Sequence, residues 1–208
     1  MIFADRVEAG HRLAVALERF RGAGTVVLGL PRGGVPVARQ VADELAAPLD
    51  VVVVRKLGAP SHRELAMGAI GEGGVRVIND DVVRSVGATT DEIDAIETVE
   101  RAELERRAGR FRLGRARLDL AGLTAIVIDD GVATGATARA ACQVVRAQGA
   151  MRIVLATPVA PPDVTPRLVD VADEFVCLDR PRSFSAVGQF YRVFDQTTDD
   201  EVIAALSR

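Results

Sequence analysis

The sequence predicts an α/β fold, a parallel sheet flanked by helices, on two observations. Short apolar runs alternate with amphipathic stretches of helical period along most of the chain. One of those runs, within residues 125–137, passes directly into two carboxylates and then through small and hydroxyl residues into a helix. An uninterrupted apolar run suits a strand buried on both faces, as in a parallel sheet. Strands separated by helices need crossover connections, which are right-handed and cover both faces of the sheet.

The elements follow in order. Residues 5–20 place Val7, Leu13, Leu17 and Phe20 on one helical face. Val26 to Leu30 is a strand, Val35 to Leu45 a helix, Asp50 to Val54 a second strand, and residues 56–66 a loop. Ala69-Ile70 and Val75 to Ile78 flank Glu72-Gly73-Gly74 as a hairpin. Thr89-Thr90-Asp91-Glu92 opens a long helix with a capping-box pattern, running to about Ala108 with Glu and Arg at pairing distances on its outer face. A strand at 124–128 and a helix from about 137 to 148 come next. Ile153 to Thr157 is a strand, Val164 to Val171 a short helix, and Phe175 to Leu178 a last core strand.

A chain of 208 residues suits one domain with a substantial core. Its net charge of −3 gives no sign of a general nucleic-acid binder. No apolar run reaches the length of a membrane span and the first residues lack a signal-peptide pattern, so a cytoplasmic location is expected. Cys142 on a helix and Cys177 in a strand are expected as buried apolar residues, without a disulfide. His11 and His62 lie apart from any ligand-like cluster. The 26 basic residues are 25 arginines and one lysine, Lys56. A coding bias explains the excess of Arg but not the position of that lysine.

The stretch Ala-Ile-Val-Ile-Asp-Asp-Gly-Val-Ala-Thr-Gly-Ala-Thr at 125–137 carries the clearest chemistry. Gly131 and Gly135 let backbone N–H groups approach a ligand, the helix start supplies a positive dipole end, and Thr134 and Thr137 add hydroxyl donors. That combination binds a phosphate. Asp129 and Asp130 cannot attract one, so they require a ligand that also carries hydroxyls, a metal ion, or both. A phosphorylated sugar fits. A P-loop is excluded by the spacing and by the missing Lys, and the turn Gly29-Leu30-Pro31-Arg32-Gly33-Gly34 does not fit a dinucleotide fingerprint.

These residues closely resemble the phosphoribosyl pyrophosphate loop of the type I phosphoribosyltransferases: an apolar strand, two acidic residues and a Thr-Gly-x-Thr turn. The resemblance implies a core of that family over about 24–180, with a flexible hairpin loop and a small hood from the chain ends, about 1–22 and 180–208. It implies that Ala133, Thr134, Gly135, Ala136 and Thr137 cradle the ribose 5-phosphate. Asp129 and Asp130 would address the ribose hydroxyls, directly or through Mg²⁺. Leu30 to Pro36 matches the family's pyrophosphate loop, with Arg32, Gly33 and Gly34 as its contacts. Arg55-Lys56 matches a basic pair that reaches the pyrophosphate, followed by a loop that closes over the site. The ends, in Phe3, Asp5-Arg6, Ala9-Gly10 and Val187 to Val202, resemble an uncharacterised bacterial branch.

The reaction so implied is displacement of pyrophosphate from C1 of phosphoribosyl pyrophosphate by a small-molecule acceptor, a nucleobase by analogy. Asp129, Asp130, Arg32 and Lys56 are the residues expected to carry catalysis, and Asp129 and Asp130 those expected to hold Mg²⁺. Phe184, Phe190 and Tyr191 are candidates for stacking on the acceptor beneath the hood, or for packing the hood itself. Ala133 stands where the hypoxanthine–guanine branch has an Asp, so Glu64 or Glu72 is a candidate for proton transfer. The expected partners are small molecules, with no nucleic acid and no membrane, and a homodimer is left open. The alternatives are a regulatory or sensor protein that kept the donor site and lost turnover, and a general sugar-phosphate binder without Mg²⁺ dependence.

Overall fold

Five parallel strands form the central sheet, in the order β2-β1-β6-β7-β8. They are β1 (Thr25–Gly29), β2 (Leu49–Val51), β6 (Thr124–Ile128), β7 (Arg152–Val159) and β8 (Glu174–Asp179). A second, antiparallel sheet is built from β3 (Val54–Ala59), β4 (His62–Gly71) and β5 (Arg76–Ile78). The helices are α1 (Arg6–Leu17), α2 (Gly34–Leu45), α3 (Asp80–Val86), α4 (Thr90–Arg112), α5 (Ala136–Ala147) and α6 (Asp199–Leu206). The computed structural model describes residues 1–22, 24–60 and 62–207, and the side chains of Arg63 and Glu64 lie outside the described set. The proton-transfer role expected of Glu64 therefore falls outside the described residues.

Period-two alternation splits the core between the sheet's two faces. Val27, Ile126, Ile128, Val154 and Ala156 point to one side and pack with Leu13 and Leu17 of α1 and Val37, Val41 and Leu45 of α2. Val26, Leu28, Val127, Ile153 and Leu155 point to the other and pack with Ala138, Ala141, Cys142 and Val145 of α5. Both cysteines are free, and Cys142 is buried with its thiol pushed up to about 12 by desolvation, as an inert core residue should be. Among the described residues no helix is long and apolar enough to cross a membrane.

Four expectations change. Residues 56–66, read as a loop, belong mostly to strands, because β3 runs to Ala59 and β4 begins at His62. Leu57, Ala59, Met67 and Ile70 are buried against Ile93, Leu104 and Phe111 of α4, so tertiary packing holds extended a segment whose Gly and Pro suggest a turn. Gly58 sits at a register shift between β3 and β4, which is how the strand absorbs it. The short helix at 164–171 is instead a 3₁₀ helix, Pro162–Arg167, with Pro166 inside it. Finally, α3 and α6 appear where no helix was expected. α3 is only seven residues long and buries none of them fully. Its apolar residues Val82, Val83 and Val86 are partly covered by the core under α4, too short a period to read from sequence. The Gly73-Gly74 turn is as expected, with φ of +75° and +78° closing the β4–β5 hairpin.

One buried polar node joins the two sheets. Arg112, the last residue of α4, donates bidentately to Glu72 at 2.7 and 2.9 Å and to the Val51 carbonyl at 3.0 Å, and also pairs with Asp50. Asp50 accepts in turn from the backbone N–H groups of Val51 and Leu118 at 2.8 and 3.0 Å. Arg112 and Asp50 are 7% and 6% exposed, so removing one partner strands the other away from water. Arg112→Ala is expected to cost about 3–5 kcal/mol in urea denaturation. Arg112→Lys should recover only part of that loss, because an ammonium cannot reproduce the fork. A loss below about 1 kcal/mol for the alanine variant would show the node to be incidental.

Candidate active site

β1 and β6 are neighbours in register, Gly29 opposite Ile128, so the turns that follow them emerge side by side. The contact is close enough to dictate glycine. A Cβ on Gly34 would lie 2.5 Å from the Ile128 carbonyl oxygen, and one on Gly33 would overlap the Asp130 carboxylate. The Pro31–Arg32 peptide bond is cis. Leu30 N–H bonds Ile128 C=O at 2.8 Å, and Asp129 N–H bonds Ala156 C=O at 3.3 Å, which fixes both turns to the sheet.

Each turn runs into a helix that its N-cap residue leaves without a side-chain cap. Gly34 and Val35 N–H of α2 bond the Leu30 and Arg32 carbonyls at 3.0 and 3.2 Å, and Ala136 N–H of α5 meets the Thr134 hydroxyl at 3.4 Å. α1, α3, α4 and α6 are capped by the side chains of Asp5, Asn79, Thr89 and Thr198, and each carries an acidic residue in its first turn. α2 and α5 begin instead on Gly33 and Gly135, with no capping side chain and no acidic residue in the first turn. Gly135 has φ of +80°, which an L side chain resists. A helix start whose dipole no acidic side chain neutralises favours an anion. Thr134 and Thr137 flank the α5 opening. The carboxylates of Asp129 and Asp130 stand between the two openings.

Other predicted residues gather on one side of these turns. Pro31, Arg55, Lys56 and Thr137 line a cavity of about 790 Å³, whose outer wall is α4, with Glu100 and Arg107. Arg55 Nε donates to Glu100 at 2.6 Å. The hood supplies the opposite side. Tyr191 donates its phenol proton to the Asp130 carbonyl at 2.6 Å, and Arg6 donates to the Asp130 carboxylate at 2.8 Å. Arg6 lies over the Phe194 ring, 4.0 Å from its centroid, and bonds the Asp195 carbonyl at 2.8 Å. Phe190 and Tyr191 are buried, Phe184 and Phe190 stack at 5.3 Å, and Phe3 pairs its backbone with Tyr191. Of the two roles open to these rings, packing the hood is the one this arrangement displays.

Residues 8–194 match the family model described as the phosphoribosyl transferase domain. The chain belongs to the phosphoribosyl transferase family. A Mycobacterium tuberculosis protein named provisionally as a phosphoribosyl transferase is 58% identical over the whole chain, which spans only 47% of that protein's length. The crystal structure of TT1426 from Thermus thermophilus superposes with a TM-score of 0.92 at 45% identity, covering 99% of this chain and 98% of that one. A purine phosphoribosyltransferase from Pyrococcus horikoshii shares the fold at TM-score 0.50 and 16% identity, covering 91% of this chain and 89% of that one.

Within this phosphoribosyl transferase fold the acidic pair is electrostatically costly. Asp129 is half-buried, and desolvation together with the neighbouring Asp130 charge pushes its carboxyl well above the usual range. Burial also raises Asp130, against the pull of Arg6. Glu72, a candidate for proton transfer, is elsewhere: Gln148 just past the C-terminal end of α5 donates to its carbonyl, whereas the acidic pair precedes the helix start. Twelve residues of helix separate the two, about 18 Å. Arg6 was legible only as part of Asp5-Arg6, and nothing in the sequence marked Asp199, which approaches Arg32 from α6 at 3.7 Å.

A carboxyl whose folded-state pKa is raised keeps its proton in the folded chain where the unfolded chain has lost it. Stability then falls as pH rises from the ordinary carboxylate range through the raised value. Asp129→Asn removes that dependence while its amide oxygen can still accept from Asp130 N–H, as the carboxylate does at 3.0 Å. The variant is expected to be about 1 kcal/mol more stable than the wild type at neutral pH, with the difference shrinking in mild acid. Urea denaturation across that window checks this, and a gap that widened in acid would reverse the sign.

Proposed function

We propose that this domain transfers the 5-phosphoribosyl group of phosphoribosyl pyrophosphate to a nucleobase-like acceptor with release of pyrophosphate. The reading is carried by one observation: two helix N-termini with neither a capping side chain nor an acidic first turn, after adjacent strands, flank a pair of half-buried carboxylates. A ligand matching that arrangement is anionic at both ends and bears hydroxyls in the middle. The α5 opening with Thr134 and Thr137 takes the 5-phosphate, and Asp130 and Asp129 take the ribose hydroxyls. The α2 opening takes the pyrophosphate together with Arg32, with Arg55 and Lys56 beside it.

The residues present suit Mg²⁺. Among the described residues no cluster of three potential ligands exists, only the adjacent carboxylates, and Mg²⁺ is ordinarily held by one or two carboxylates plus phosphate oxygens of the substrate. Asp129 and Asp130 would hold it, and it would supply positive charge for the departing pyrophosphate. The chain's own work is to fix the ribose between the two anion sites, so that attack on C1 is nearly unimolecular. Arg32 and Lys56 offset the charge that grows on the leaving group. The carboxylates face the carbon that becomes electron-poor.

A second reading, a sensor that binds the same donor without turnover, draws support from the hood. Phe190 and Tyr191 are engaged in packing, so neither ring is free to stack on a base in this arrangement. Calorimetric titration with phosphoribosyl pyrophosphate, with and without Mg²⁺, followed by a screen of nucleobases for pyrophosphate release, separates the two. Binding with turnover supports the transferase and binding without turnover the sensor. Thr137→Ala and Asp130→Asn are each expected to weaken donor binding about tenfold, the worth of one charge-assisted hydrogen bond. Unchanged affinity in both variants would place the donor elsewhere.

A further inference from the structure

Arg32 is the one cation of the glycine turn, and the chain gives it an internal partner. Its Nη1 is 3.7 Å from Oδ1 of Asp199, the first residue of α6. Oδ2 of the same carboxylate is 3.0 Å from Nε of Arg110 in the last turn of α4. Two guanidinium groups from separate elements thus converge on one carboxylate near the start of α2, which no side chain caps. α6 does not need Asp199 for its own N-terminus, since Thr198 and Glu201 form a full capping box there and Asp200 adds a further acidic residue. Nor is the carboxylate tightly bound to Arg32, because 3.7 Å exceeds hydrogen-bonding distance.

We infer that Asp199 stands where an oxygen of the substrate's pyrophosphate belongs, and that Arg110 is a further pyrophosphate-binding residue beside Arg32. The inference rests on the function proposed above. A guanidinium prefers an anion that offers two oxygens, and a phosphate offers more oxygens and more charge than a carboxylate. Pyrophosphate arriving at the α2 opening therefore takes Arg32 and Arg110 from Asp199. Inorganic phosphate, with less charge and a shorter reach, competes less well for two cations. The tethered carboxylate thus sets a threshold that favours pyrophosphate, and it keeps both guanidinium groups paired until the substrate arrives. Asp199 is a positioning residue in this scheme, and Arg110 contacts the leaving group.

The test is a double-mutant cycle on anion affinity, read by calorimetry with pyrophosphate and with inorganic phosphate in the presence of Mg²⁺. Asp199→Asn is expected to tighten pyrophosphate binding about fivefold, the scale of an exposed ion pair that no longer competes, and to narrow the preference over inorganic phosphate. Arg110→Gln should weaken pyrophosphate about tenfold, and by the same factor in the Asp199→Asn background. Asp199→Ser, which keeps a good helix-start residue, should behave like Asp199→Asn. Pyrophosphate binding that is no tighter in either Asp199 variant overturns the inference. So does an Arg110→Gln effect that vanishes once Asp199 is gone, because Arg110 would then act only by holding Asp199. A wild-type protein that binds neither pyrophosphate nor phosphoribosyl pyrophosphate overturns the proposed function along with this inference. One that binds both with insensitive variants overturns the inference alone.

Discussion

Two neighbouring carboxylates sit half-buried at the end of β6, and their mutual repulsion must be answered by the structure around them. Desolvation alone would favour protonation of both. The answer comes from three directions: the Asp130 backbone N–H turned onto Asp129, the Arg6 guanidinium from α1, and the positive ends of α2 and α5 close by. None of these neutralises the pair fully, and Asp129 stays the worse off of the two. A site that tolerates this is one in which the carboxylates have work to do once a ligand with hydroxyls, or a cation, arrives. The glycines at 33 and 34 follow from the same constraint, since a side chain at either position would collide with the acidic turn.

How much of this the sequence revealed depended on how local the signal was. β1, β6 and β7 are continuous apolar runs and appear within a residue or two of their expected bounds, apart from the longer C-terminal end of β7. The capping box at Thr89 and Glu92 is present as expected. The two glycine-opened helices were legible because their caps are written in the chain itself. What escaped was decided by partners far away in sequence. β3 and β4 are strands because α4 covers them, although Gly58, Ala59 and Pro60 suggest otherwise. α6 is only eight residues long and its apolar face, Val202 and Leu206, has meaning only against α4 and α2.

The same distinction explains the site. Asp129, Asp130, Gly135 and Thr137 form one contiguous string, so their chemistry could be read before any folding was considered. Arg6, Tyr191 and Asp199 act on that string from the chain ends, and no spacing rule connects residue 6 to residue 130. The aromatic tail was visible as an unusual cluster, but whether its rings face a ligand or one another is a question of packing. Phe184 on Phe190, and Tyr191 between Phe3 and Phe194, answer it in favour of one another. The α4 wall completes the picture from the outer side of the cavity. It carries Glu100 onto Arg55, Arg110 onto Asp199 and Arg112 onto Asp50, so one helix touches the hairpin, the C-terminal helix and the central sheet.

The pairing of Phe3 with Tyr191 also dictates when the site can come into being. The N–H of Phe3 bonds the carbonyl of Phe190 and its own carbonyl accepts from Arg192, so the contact joins residues nearly a full chain apart. Loop closure over such a span is entropically late. A chain emerging in order from the ribosome would make α1 before β6, hold Arg6 apart from Asp130 until residue 130 exists, and seal the hood only after residue 192. The sheet and its two anion-binding turns can form before that. Maturation of the pocket is therefore a late event in the folding of this domain, following a stage in which the acidic pair is open to water.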